Sequence, residues 1–218
     1  MKLLLTSSGL ANDAIKKVFF DLVGKQPEEI SLAFIPTASN VETGDKSWLA
    51  EDIQSLENLG LGVVNTVDIS AVERSVWEAQ LRSADVLFFE GGNNFYLMDW
   101  VNKSGLVDLL PEFLETKVYV GVSAGSMITG PDLLLSVSQQ LYEEDLEKTE
   151  NMAGLNLVDF YILPHYNSSY FSLVREEGIR SVVEGIRKKI YVLDDDSAVK
   201  VEGDRVEVIG SGDCLEIN

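Results

Sequence analysis

Lys117-Val118-Tyr119-Val120-Gly121-Val122-Ser123-Ala124-Gly125-Ser126-Met127 is the stretch from which the rest of the chain can be read. The apolar run over 117–122 reads as a strand buried on both faces. Gly121-Val122-Ser123-Ala124-Gly125 fits the pattern G-x-S-x-G, and a helix is expected to begin around Met127. A strand, a sharp turn and a helix in that order lift a serine oxygen clear of the sheet. The backbone comes close to itself at such a turn, so the neighbours must be small. The amide of Ala124 then lies at a helix N-terminus, where it can donate to an oxyanion. Taken alone, the pattern also fits a phosphate-binding or merely glycine-rich turn.

Outward from this stretch, strand and helix signals alternate almost throughout. Apolar runs over 2–6, 31–37, 62–69, 85–90, 158–163 and 189–193 read as strands. Helical spacing is found over 10–22, 46–59, 72–81, 94–114 (with a break at Ser104-Gly105) and 171–186. Strands joined through helices of this length require crossovers, hence a mostly parallel sheet. The tail changes character: 198–201 and 206–209 flank Gly203-Asp204 as a hairpin, and 214–217 is a last strand. The reading is α/β, three layers in αβα order around a mostly parallel central sheet, with an antiparallel hairpin at the C-terminal end. Residues 1–218 are expected to form a single domain.

Composition narrows the function classes. Apolar residues make up 45% of the 218, the proportion of a globular chain rather than a disordered one. The single cysteine, Cys214, cannot pair within the chain, which excludes a disulfide scaffold. No apolar run approaches the roughly 18 residues a spanning helix needs, and the N-terminal run is too short for a signal peptide. A cytoplasmic location is the expectation. Seventeen Lys and Arg against 36 Asp and Glu give a net charge of −19. Such a chain repels phosphate backbones and anionic membranes, so neither nucleic acid nor membrane is expected as a partner. An acidic substrate would need a local positive group to override that field.

In open sheets of this kind, sites lie beyond the carboxyl ends of the strands. Three more segments occupy such positions. Glu90-Gly91-Gly92-Asn93-Asn94-Phe95 follows the most apolar strand; its paired glycines suit either a second oxyanion donor, the amide of Gly92, or a simple helix start capped by Asn93 or Asn94. Leu163-Pro164-His165-Tyr166-Asn167 carries the only histidine, which is the only histidine available as a base if Ser123 is a nucleophile. Asp194-Asp195-Asp196-Ser197 follows another strand and reads as a solvated turn, a hard-cation loop without the regular alternation of one, or the acid that orients the histidine. The order serine, histidine, acid differs from that of α/β-hydrolases.

Together, Gly91-Gly92-Asn93-Asn94-Phe95, Gly121-Val122-Ser123-Ala124-Gly125-Ser126, Pro164-His165-Tyr166 and Asp194-Asp195-Asp196-Ser197-Ala198 resemble the dipeptidase E (α-aspartyl dipeptidase) family of serine peptidases, relatives of the cyanophycinases. The resemblance implies a fold like class I glutamine amidotransferase domains, with a serine in place of their cysteine. It implies Ser123 as nucleophile, His165 as base, the amides of Gly92 and Ala124 as oxyanion donors, and no metal or organic cofactor. It implies a small peptide substrate, most simply a dipeptide with N-terminal aspartate. Dipeptidase E's proposed triad aspartate lies further along from the serine, where this chain has Ser136, Val137 and Ser138. The cyanophycinase-like acid near Asp195 fits better, with Asp194 and Asp196 as rivals. Arg175 is similar in position to an arginine that the family associates with the substrate carboxylate, and Asn93 is a second candidate for substrate binding. Arginine is the best donor fork for a carboxylate. The residues three and four away from Arg175, namely Phe171, Ser172, Gly178 and Ile179, include no acid to account for its charge locally.

Overall fold

The computed structural model describes residues 1–144 and 152–218. Five parallel strands make the frame. They are β1 (Lys2–Thr6), β2 (Ser31–Ile35), β3 (Val63–Thr66), β4 (Val86–Phe89) and β5 (Val118–Val122), arranged β3-β2-β4-β5-β1. β6 (Phe160–Leu163) and β7 (Lys189–Leu193) run parallel to each other in a second, three-stranded sheet. β8 (Ser197–Glu202) and β9 (Arg205–Gly210) form the tail hairpin, and β8 extends the main sheet antiparallel to β1. β10 (Cys214–Ile217) closes the second sheet against β7. Among the described residues the sheets are therefore seven- and three-stranded, in the orders β3-β2-β4-β5-β1-β8-β9 and β10-β7-β6.

Helices cover the frame because strand side chains alternate between its two faces. On one face, α1 (Asp13–Val23) and α2 (Ser47–Glu57) pack Ile15, Phe19, Leu22 and Leu56 against Leu4, Phe34 and Phe88. On the other, α3 (Arg74–Ser83) and α4 (Asn94–Lys103) pack Trp77, Leu81, Phe95 and Met98 against Leu3, Leu5, Ile35 and Phe89. Adjacent residues of one strand thus serve opposite layers, as Phe88 and Phe89 do. Short α5 (Leu110–Phe113) and α6 (Ala124–Met127) complete the second layer. α7 (Leu135–Tyr142) and α8 (Glu176–Val182) cover the small sheet with Val137, Leu141 and Ile179, joined by Val183 just beyond α8.

The three-layer, mostly parallel α/β architecture and the C-terminal antiparallel strands are as read from the sequence. Two elements differ. The helical spacing over 171–186 yields a helix only over Glu176–Val182. The side chain of Arg175 donates to the carbonyls of Ser168, Phe171 and Val174, which locks the preceding residues into a loop. The helix expected to begin around Met127 is instead the short α6, which starts at Ala124 and ends at Met127, and α7 forms further on, entered through Leu134 in the left-handed region.

One core contact bears directly on the turn after β5. The Tyr119 ring is fully buried and stacks on Phe89 at 4.7 Å, and its hydroxyl donates to the Gly125 carbonyl at 2.6 Å. Tyr119→Phe removes that donor from a buried carbonyl. A loss of ~1–3 kcal/mol in stability is expected, read as a lower midpoint in urea unfolding.

Candidate active site

The turn after β5 is built by steric exclusion. Ser123 has φ 47° and ψ −107°, outside the regions that side chains ordinarily adopt. A Cβ on Gly125 would collide with the Phe89 carbonyl, and one on Gly121 would collide with the backbone of Gly125 and Ser126. Both glycines of G-x-S-x-G are thus required by close packing against β4 and against the turn itself. Ser126 ties the turn down, donating its hydroxyl to the Thr6 and Gly121 carbonyls, each at 2.8 Å. The strained serine is held by its surroundings, the condition under which such strain persists.

Two other strand ends bring up the partners. His165 follows β6 with φ 66°, and its Nε2 lies 3.0 Å from Ser123 Oγ. Asp195 follows β7, and its Oδ1 lies 2.7 Å from His165 Nδ1. A carboxylate only accepts, so the imidazole proton belongs on Nδ1 and Nε2 is left to accept the serine O–H. The ring is fixed from its face as well, since Phe171 stacks on it at 4.3 Å. Burial pushes the Asp195 carboxyl up, but the hydrogen bond and charge of His165, with the Ser168 and Ser7 hydroxyls, outweigh it and hold the group below its ordinary value. The neighbouring acids are engaged elsewhere. Asp194 accepts from Ser197 Oγ and the Asp196 amide, and Asp196 faces Asn12 at the start of α1.

Ser7 is a participant the sequence reading missed. It lies just beyond β1, is fully buried, accepts from the His165 amide at 2.8 Å and donates to Asp195 Oδ1 at 2.9 Å. The available signal was its place directly after a strand, at the same edge as the other loops.

The amides of Gly92 and Ala124 have no acceptor among the described residues. Gly92 has φ 124°, and a Cβ there would overlap the Ala38 carbonyl. Gly91 sits so close that its Cβ would touch Ser123 Cβ at 3.4 Å. Behind this turn, Glu90 is completely buried and accepts the Gly91 amide at 2.8 Å. Asp52 of α2 faces it. Burial raises Asp52, the hydrogen bond from Glu90 opposes that rise and the like charge of Glu51 adds to it, leaving the group at about 6. Burial and the charge of Asp52 push Glu90 well above the carboxylate range.

The two predicted substrate-binding residues have other contacts. Asn93 caps α4, its Oδ1 accepting the Tyr96 amide at 2.9 Å, while its side-chain NH2 has no partner among the described residues. Arg175 spends three of its five N–H donors on loop carbonyls, and two have no partner among the described residues. No group of three or more His, Cys, Asp or Glu able to hold a metal is found among the described residues. A groove of about 570 Å3 between α1 and α2, lined by Lys16, Glu51 and Gln54, contains none of the residues of the serine–histidine line.

A mostly parallel α/β sheet with a serine–histidine–aspartate hydrogen-bond line beyond its strand ends defines a hydrolase-like class. The sequence profile of Peptidase family S51 matches residues 3–209, and the chain belongs to that family. It is therefore a peptidase. It is 32% identical over 177 residues to the uncharacterised peptidase Lmo0363 of Listeria monocytogenes, covering 81% of this chain and 84% of that one. It is 28% identical to Peptidase E of Streptomyces coelicolor, covering 98% of this chain and 86% of that protein. A crystal structure from Listeria monocytogenes EGD-e, provisionally assigned as a peptidase E protein, superposes with TM-score 0.80 at 30% identity, over 97% of this chain and 98% of that one.

Two predictions follow from this geometry. Ser7→Ala removes one bond to the carboxylate and one from the histidine loop, and about a tenfold fall in kcat is expected in steady-state assays. Folding raises the pKa of Asp52 from 3.8 to about 6, so its stabilising contribution is full below 3.8 and is lost as pH rises through about 6. Asp52→Asn removes that dependence, and its melting temperature should exceed the wild type's at pH 7 but not at pH 3.5.

Proposed function

We propose that this chain is a serine-type dipeptidase acting on short peptides, most simply those with N-terminal aspartate. The observation that carries the reading is the continuous line from Ser123 Oγ through His165 to Asp195, flanked by two amides with no acceptor among the described residues. Ser123 Oγ attacks the scissile carbonyl while its proton passes to His165 Nε2. The Gly92 and Ala124 amides receive the oxyanion. The C–N bond breaks, the imidazolium protonates the departing amine, and the acyl group stays on Ser123. A water molecule then repeats the sequence, His165 taking its proton and returning one to Ser123 as the acid leaves. Asp195 holds the tautomer and the charge of His165. The scheme assigns no role to a metal or organic cofactor.

Aspartate preference is carried by the family resemblance and by the two unspent donors of Arg175. A second reading concerns specificity alone. Glu144 lies beside the start of α4 with Oε2 buried and without a hydrogen-bond partner among the described residues. Burial and the nearby Glu42 push it up to about 8. Its carboxyl also accepts the Asn94 amide, and a cationic group on the substrate would give the remaining oxygen a donor and draw off its proton. The proposed setting is the cytoplasm, with small peptides rather than nucleic acid or membranes as partners; no described helix is long and apolar enough to cross a membrane.

The test is hydrolysis of Asp-X, Glu-X, Ala-X and Arg-X dipeptides by wild type and Ser123→Ala. Turnover of Asp-X above the others, reduced about 10,000-fold or more in the variant, is the expected result. Preference for Arg-X would transfer specificity to the Glu144 reading, and turnover surviving in Ser123→Ala would end the serine mechanism. Arg175→Lys, which keeps three donors for the loop carbonyls but none in a fork for the substrate, should raise KM for Asp-X about tenfold while leaving Ala-X within about threefold.

A further inference from the structure

Glu90 has no part in the scheme above, yet it is the most completely enclosed carboxyl group near the site. It continues the β4 ladder, its amide donating to the Ile35 carbonyl at 3.0 Å. It has no exposed surface. One side-chain oxygen accepts the Gly91 amide, and no donor among the described residues reaches the other. What faces the side chain is the carboxyl of Asp52, from α2. α2 reaches this spot in two places, since Trp48 lies 3.9 Å from where a Gly91 Cβ would be and Asp52 Oδ1 lies 3.5 Å from where a Gly9 Cβ would be.

Two carboxylates cannot hydrogen-bond to each other. Two carboxyl groups can do so when one proton is shared, and an unpaired buried carboxylate is too costly to persist otherwise. We propose that Glu90 is a positioning residue of the oxyanion turn: it shares one proton with Asp52, and the resulting acid–carboxylate pair fixes the Gly91 amide so that the next amide, that of Gly92, is aimed at the reacting carbonyl. This rests on the serine mechanism proposed above. The Glu90 O–H donates to the Asp52 carboxylate, which leaves the other Glu90 oxygen as the acceptor for Gly91. The charged groups acting on the pair are its own two members and Glu51, also on α2.

The pair carries two protons at acid pH, one near neutrality and none at strongly alkaline pH. Both protonated forms keep an O–H to bridge the pair and bury at most one charge; only the fully deprotonated form lacks the donor. Loss of the last proton sets two like charges against each other behind the turn, so oxyanion stabilisation should fail on the alkaline side.

The test uses the rate at which a fluorophosphonate probe modifies Ser123, because that reaction needs the nucleophile and the oxyanion donors but no knowledge of the natural substrate. Wild type, Glu90→Gln, Glu90→Ala and Asp52→Asn are compared from pH 5 to 10, each as folded protein counted by circular dichroism. Glu90→Gln retains an acceptor for Gly91 and a donor to Asp52 without a titrating proton. It should label within about threefold of wild type at pH 7 and lose the alkaline decline attributable to the pair. Glu90→Ala should label at least about tenfold more slowly, approaching the roughly 100- to 1000-fold loss of a missing oxyanion donor. Labelling of folded Glu90→Ala at the wild-type rate would overturn the inference. So would an unchanged pH profile in Glu90→Gln, which decides the matter even if Glu90→Ala does not fold. Failure of wild type to label at all is a separate result, since it removes the serine mechanism and the inference with it.

Discussion

Everything at the strand ends depends on how closely the turn after β5 presses against β4. Gly125 lies where no side chain fits beside the Phe89 carbonyl, and Gly121 lies where none fits beside Gly125. That contact forces Ser123 into its strained backbone conformation and lifts its oxygen out of the sheet. The same contact sets the distance between the Ser123 turn and the Gly91-Gly92 turn after β4. The amides of Gly92 and Ala124 flank the serine because their strands are adjacent in the sheet, with Phe89 opposite Gly121 in the register. A looser packing here would separate nucleophile and oxyanion donors before it unfolded anything.

The hydrogen-bond line crosses between two sheets. Ser123 and Ser7 come from the main sheet, whereas His165 and Asp195 follow β6 and β7 of the small one. Ser7 is bonded to the backbone of His165 and to the carboxylate of Asp195, so it joins the two sheets at the point where their relative position matters most. The Tyr166 amide, bonded to the Leu193 carbonyl at 2.9 Å, ties the histidine loop to the end of β7 in the same way. The left-handed backbone at His165 costs energy that these bonds and the stacked Phe171 ring offset.

Much of this was legible in the sequence because it follows from local rules. Apolar runs separated by amphipathic helices require the parallel frame, and glycines around Ser123 require a tight turn. The peptidase family was readable from motifs in their order along the chain. The division into two sheets was not readable, because alternation gives the order of strands and not their neighbours. The helix over 171–186 was overread, since periodicity cannot register that Arg175 binds the three carbonyls of Ser168, Phe171 and Val174. Among Asp194, Asp195 and Asp196, composition is identical and only the turn geometry separates them. It directs Asp194 inward to Ser197 and leaves Asp195 toward the histidine.

Charge explains why so acidic a chain can hold an oxyanion site at all. With a net charge of −19, the surrounding field opposes negative charge developing on a substrate carbonyl. Long-range repulsion from exposed acids is screened within about 8–10 Å at ordinary ionic strength, so the nearby groups decide the local potential. Close to Ser123 the ionised carboxylate is Asp195, and it is paired with the imidazole that becomes positive as the oxyanion forms. Burial pushes both acids behind the Gly91 turn upward, and the charge of Asp52 pushes Glu90 further, which limits the negative charge they place there. Burying carboxyl groups is costly to stability, and here the cost has a consequence for chemistry: groups that cannot ionise together cannot set two negative charges against the amides that must receive one.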